Sequence, residues 1–101
     1  MTAATRTRRR RRSLVVLAGD GGVSDRGARA LADSLAVAGI EPIYVGRERS
    51  PAQIARTAVA EAADAVELCL GAGGVLIIRE LLRELDRIGR RDISLVLHRM
   101  A

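Results

Sequence analysis

The stretch Leu14-Val-Val-Leu-Ala-Gly-Asp-Gly-Gly-Val-Ser-Asp-Arg-Gly27 decides the fold. Its first five residues, Leu14 to Ala18, are all apolar and read as a parallel strand covered on both faces. A glycine-rich loop follows. Ser24 or Asp25 then opens a helix, because their side-chain oxygens satisfy the orphan amides of a first turn. In open α/β sheets, ligands bind where such loops leave the carboxyl ends of strands.

The pattern repeats outward from that stretch. The spacing of Ala28, Leu31, Ala32 and Leu35 predicts an amphipathic helix from Asp25 to Ala38, ended by Gly39 in a left-handed cap. Pro42 to Val45 is a second strand, either at a sheet edge or beginning at Pro42, because Pro42 has no amide to donate. Ser50-Pro51-Ala52-Gln53 starts a second helix, with an N-cap, a proline at the first position and a capping-box glutamine. That helix runs to about Ala63, with Ile54, Ala55, Ala58 and Val59 inward. Ala65 to Leu70 is strand three, followed by the turn Gly71-Ala72-Gly73-Gly74. A third helix spans Val75 to Ile88, with Leu81, Leu82, Leu85 and Ile88 toward the core and Gly89 as its cap. Ile93 to Leu97 is strand four. The alternation implies right-handed crossovers and a parallel sheet. The fold class is therefore α/β, a flavodoxin-like (Rossmann-like) three-layer sandwich of about four strands in the order 2-1-3-4. In that order both glycine-rich turns share one rim.

Composition narrows the function. The chain has 101 residues, 49% of them hydrophobic, but only one aromatic residue and one cysteine. It reads as one domain in a reducing cytoplasm, with no internal disulfide. No apolar run approaches the roughly 20 residues of a membrane helix. Residues 1–12 hold six arginines and no acid, whereas the rest sets 11 arginines against 12 acids. The positive charge thus belongs to a disordered arginine-rich tail, and the α/β domain occupies 13–101. Without aromatics to stack on bases, nucleic acid is not the expected partner.

A family is visible in three places: Asp25-Arg26-Gly27-Ala28 opening the first helix, Ser50-Pro51 opening the second, and Gly89-Arg90-Arg91-Asp92-Ile93 leading into strand four. Over roughly residues 13–97 the chain resembles the cobalamin (B12)-binding domain of methylmalonyl-CoA mutase and its relatives. The resemblance implies a flavodoxin-like fold and a cobalamin whose cobalt a histidine coordinates. The family's signature is Asp-x-His-x-x-Gly after strand one, Ser-x-Leu after strand three, and Gly-Gly after the next strand. Aligned on Gly27, the histidine position holds Ser24 and the aspartate position holds Gly22. Aligned on Leu70, the serine position holds Leu68. The late Gly-Gly falls near His98 and Arg99. Relative to the family the domain is degenerate and C-terminally truncated, lacking a fifth strand and last helix. A serine hydroxyl is a poor cobalt ligand beside imidazole, and the carboxylate that would orient a histidine is gone with it.

The cofactor-binding positions implied are Asp20, Gly21, Gly22, Ser24, Asp25, Gly27, Cys69, Leu70, Gly73 and Gly74. Each has a plainer reading. Ser24 and Asp25 serve as helix caps, and Asp20 as a solvated loop acid. Gly21 and Gly22 offer a phosphate cradle, but without a P-loop's lysine. Cys69 reads as a small core residue and His98 as an exposed terminal one. A Cys69/His98/Asp20 metal site is conceivable, yet the three lack a recognised metal spacing. No catalytic set and no metal site is expected. A response regulator would want a lysine, and a flavodoxin more aromatics than Tyr44. The expectation is a non-catalytic module related to methylmalonyl-CoA mutase, at most the cofactor-binding part of an acyl-CoA mutase. The alternative is a genuine corrinoid carrier that needs no protein histidine. Its partner is a homo-oligomeric copy or a mutase-type subunit, met through strand four and the apolar face of Leu95 and Leu97.

Overall fold

The computed structural model describes residues 10–18, 25–47, 50–71 and 73–99. Along the chain these form β1 (Arg12–Ala18), α1 (Asp25–Val37), β2 (Glu41–Arg47), α2 (Pro51–Ala60), β3 (Ala65–Leu70), α3 (Gly74–Arg87) and β4 (Ser94–Arg99). The strands are all parallel and lie in the order β2-β1-β3-β4. The expected topology is thus the observed one.

β1 and β3 are the central strands, and both are rich enough in apolar residues to be covered on two faces. Leu14, Val16 and Ala18 point to one face, where Ile54, Ala55 and Ala58 of α2 and Leu81 and Leu85 of α3 cover them. Val15 and Leu17 point to the other face, where Ala28 of α1 is buried and Leu31, Ala32 and Leu35 pack beside it. Three layers result. β2 is an edge strand and carries Pro42 without losing a central ladder bond. Its pairing with β1 slips between Val15 and Val16, which face Tyr44 and Gly46, so Val45 stands out of register and 38% exposed.

Several boundaries differ from the sequence expectation. β1 starts at Arg12, two residues early, because that residue is tied down on three sides. Its amide donates to Asp64 Oδ2 at 2.8 Å, its Nε to Glu41 Oε1 at 3.1 Å, and its Nη1 to the Glu61 carbonyl at 3.0 Å. α2 begins as expected, with the Gln53 amide donating to Ser50 Oγ at 3.2 Å. It ends at Ala60 and not near Ala63. There Ala62 takes a φ of 54° so that the Ala63 amide can reach the Ala58 carbonyl at 2.9 Å. α1 and α3 make the same closure with Gly39 and Gly89 in the left-handed position, where no Cβ opposes it. Val59, Leu82 and Ile88, placed inward by their spacing, are 39%, 51% and 37% exposed. Val59 and Ile88 line an open groove between α2 and α3, and Leu82 lies on the other flank of α3.

Candidate functional site

The strand order reverses between β1 and β3, so the ligand-binding crevice of such a sheet falls where these two strands end. A backbone bond joins the ends: the Gly71 amide donates to the Ala18 carbonyl at 2.9 Å. α3 then starts directly on this rim. Gly73 precedes it with a φ of 80°, a conformation that a residue with a Cβ adopts at a cost of about 1–2 kcal/mol. Gly74 is buried, and a Cβ there would lie 2.8 Å from Leu70 Cδ2 and 3.6 Å from the Ala18 carbonyl oxygen. The second glycine turn therefore has a packing role: it seats a helix N-terminus against the end of β1. Leu70 belongs to that packing and sits against the core of the α2/α3 face.

Asp25 is the first residue of α1, and its carboxylate is engaged. Tyr44 Oη donates to one oxygen, and Arg29 Nε to the other at 2.7 Å. The Arg29 guanidinium also lies 4.8 Å above the Tyr44 ring. The two donors, Tyr44 first, hold the Asp25 carboxyl below its ordinary range. Tyr44 is itself raised, by burial first and by that same carboxylate. Asp25 thus locks α1 onto β2. Gly27 lies half-buried two residues further along α1. Asp20, Gly21, Gly22 and Ser24 lie outside the described residues.

Cys69 is fully buried on the α1 side of the sheet, and burial, aided by the Glu67 charge, pushes its thiol up to about 11. At that value it stays protonated at neutral pH and is no nucleophile. His98 pairs with Cys69 in register on β4. It is not simply exposed, because its Nε2 lies 2.7 Å from Glu67 Oε1 with the imidazole side chain 27% accessible. Glu67 is 5% exposed, and its other oxygen accepts from Ser13 Oγ at 3.0 Å. A row Ser13–Glu67–His98 therefore crosses β1, β3 and β4. The Ser13 hydroxyl donates to one Glu67 oxygen, and the His98 ring shares a hydrogen bond with the other. Sequence reading passed over Glu67 and Ser13. The available signal was a lone acid inside Ala-Val-Glu-Leu-Cys-Leu, a central strand with no other polar group.

Among the described residues no group of three His, Cys, Asp or Glu side chains is arranged to hold a metal ion. The β1–β3 rim there presents backbone, glycine and aliphatic side chains, with the one imidazole held by Glu67 on the neighbouring strand. No helix among the described residues is long and apolar enough to cross a membrane.

No protein-family model matches the chain, and no curated protein matches it in sequence. Among solved structures it is similar to a novel cobalamin-binding protein from Desulfitobacterium hafniense DCB-2, with a TM-score of 0.71 and 19% identity. The match covers 86% of this chain and 43% of the other, so the chain spans less than half of that protein. At this identity the likeness shows the fold: the α/β sandwich of a cobalamin-binding protein.

Proposed function

We propose that the chain is a cobalamin-binding-domain-like module of the methylmalonyl-CoA mutase type, non-catalytic and with a degenerate cobalt-ligand motif. It acts as an accessory or interaction subunit. One observation carries this: the parallel β2-β1-β3-β4 sheet with its helices matches a cobalamin-binding protein in fold. The Asp25-Arg26-Gly27-Ala28 and Gly89-Arg90-Arg91-Asp92-Ile93 words support the mutase relation.

The described rim does not fit a histidine-ligated cobalamin. The sole imidazole, His98, is hydrogen-bonded to Glu67, and the Asp25 carboxylate is committed to Tyr44 and Arg29. No chemical step is therefore derived through cobalt. The second reading is a corrinoid carrier that leaves the cofactor's own base in place. The glycine-rich turns that follow β1 and β3 in the sequence motivate it. Equilibrium dialysis of the chain against hydroxocobalamin separates the two. The degenerate module leaves the cofactor equally distributed at micromolar protein. Saturable one-to-one retention establishes the carrier instead.

A further inference from the structure

α3 has two flanks, and only one is packed. Residues advance 100° per position on a helix, so Ile77, Glu84 and Ile88 fall on the side toward α2, where Ile88 and Val59 share a groove. Val75, Arg79, Leu82 and Asp86 fall on the opposite side. With Ile78 and Arg83 they line a groove of about 490 Å³. Its apolar members are open, with Val75 75% and Leu82 51% exposed. On the adjoining edge strand, Leu97 lies on the same sheet face and is 48% exposed.

The charges around this groove are unbalanced. Asp86 is matched by Arg91 Nε at 3.4 Å, Arg87 by Glu84 at 2.7 Å, and Arg90 by Asp92 at 3.0 Å. Among the described residues Arg79 and Arg83 have no ion pair; nor has Glu80, which lines a separate depression with them on the side away from Val75 and Leu82. The two arginines stand one helical turn apart beside the apolar strip. Two unmatched guanidiniums at i and i+4 beside exposed Val and Leu complement carboxylates carried at the same spacing on an apolar helix face.

We propose that this flank docks an acidic amphipathic helix of a partner protein. Its apolar residues seat on Val75 and Leu82, and its carboxylates face Arg79 and Arg83. A helix seated there would pack on α3 at the usual interaxial distance of about 8–10 Å. A second copy of this chain is a poorer occupant. Apposing two copies of this face sets Arg79 and Arg83 against the same two guanidiniums unless the axis falls where Asp86, already paired with Arg91, replaces them. The proposal gives the partner of the interaction module a chemistry, and it holds whether or not cobalamin binds.

The test is fluorescence anisotropy of the full 101-residue chain with a labelled helical peptide carrying leucines at 3–4 spacing and flanking glutamates. A lysine-for-glutamate version serves as the control. The acidic peptide binds at least tenfold tighter than the basic one. Arg79→Glu with Arg83→Glu inverts that order while circular dichroism remains unchanged. Both substitutions are at exposed positions, so the fold survives them. Equal affinity for the two peptides, no binding of either, or binding only to phosphatidylglycerol vesicles overturns the proposal. So does a dimer by light scattering that Leu82→Asp dissolves.

Discussion

Removing the imidazole of His98 tests the account of the polar row most sharply. Glu67 is a carboxylate only 7% exposed at its side chain, held by Ser13 on β1 and His98 on β4. His98→Ala leaves one oxygen of a buried charge without its sheet partner. Breaking a fully buried pair costs about 3–5 kcal/mol, and losing a hydrogen bond to a charged group about 1.5–3 kcal/mol. The His98 side chain is 27% accessible, so water reaches the gap and the lower range applies. The expected loss is about 2 kcal/mol. With a urea m-value of about 1–2 kcal/mol/M for a small domain, the midpoint drops by about 1–2 M. Replacing both partners, Glu67→Leu with His98→Leu, removes the charge together with its need for a donor. That double variant recovers most of the loss, and the coupling in the cycle exceeds about 1 kcal/mol. Urea unfolding followed by far-ultraviolet circular dichroism measures His98→Ala and the four corners of the cycle: wild type, Glu67→Leu, His98→Leu and the double variant. A His98→Ala change within about 0.5 kcal/mol of wild type, with additive singles, refutes the reasoning.

Four further outcomes follow from the geometry. Ala62→Gly, which relieves the φ of 54° after α2, raises stability by about 0.5–1 kcal/mol in the same urea assay, and a loss there would contradict the strain. Gly73→Ala lowers it by about 1 kcal/mol, because the position before α3 needs a positive φ. The Asp25 carboxyl is depressed by Tyr44 and Arg29, so its contribution is present above the ordinary carboxylate pKa and fades as pH falls through the folded value. Asp25→Asn is therefore less stable than wild type at pH 6, and the two converge near pH 2; a constant gap across that range would sink the assignment. Cys69, with its thiol at about 11, resists iodoacetamide at pH 8 until urea unfolds the chain, as mass spectrometry of the quenched mixture reads out.

The architecture was legible because each strand announces itself by an apolar run and each helix by its cap. Leu14 to Ala18, the Ser50-Pro51 start and Gly39 placed their elements correctly, and of the two placements Pro42 allowed, the edge is the observed one. The errors have one source: a one-dimensional pattern does not reveal what lies opposite. Leu82 follows the helical period as well as Leu81 does, but it lies on the flank of α3 that no other helix among the described residues covers, which leaves it 51% exposed. Glu67 drew no attention because its partners lie 54 and 31 positions away. The glycines of the second turn were legible as a rim feature. Their reason, the contact of Gly74 with Leu70 and the Ala18 carbonyl, needed the packing of α3. Cys69 was legible as core, and Asp25 as a helix start, but not its bond to Tyr44.

The most direct test of the central claim is a visible-absorption comparison of wild type with the double variant Gly22→Asp, Ser24→His under hydroxocobalamin. On the proposed reading the fold persists while the cobalt-ligand motif is degenerate. Wild type then shows no histidine-ligated, base-off spectrum, and the double variant acquires one, because it restores an imidazole and its orienting carboxylate. A base-off spectrum in wild type, abolished by Ser24→Ala or His98→Ala, contradicts the degenerate site. The absence of any spectral change in the double variant contradicts the cobalamin-domain origin of the fold.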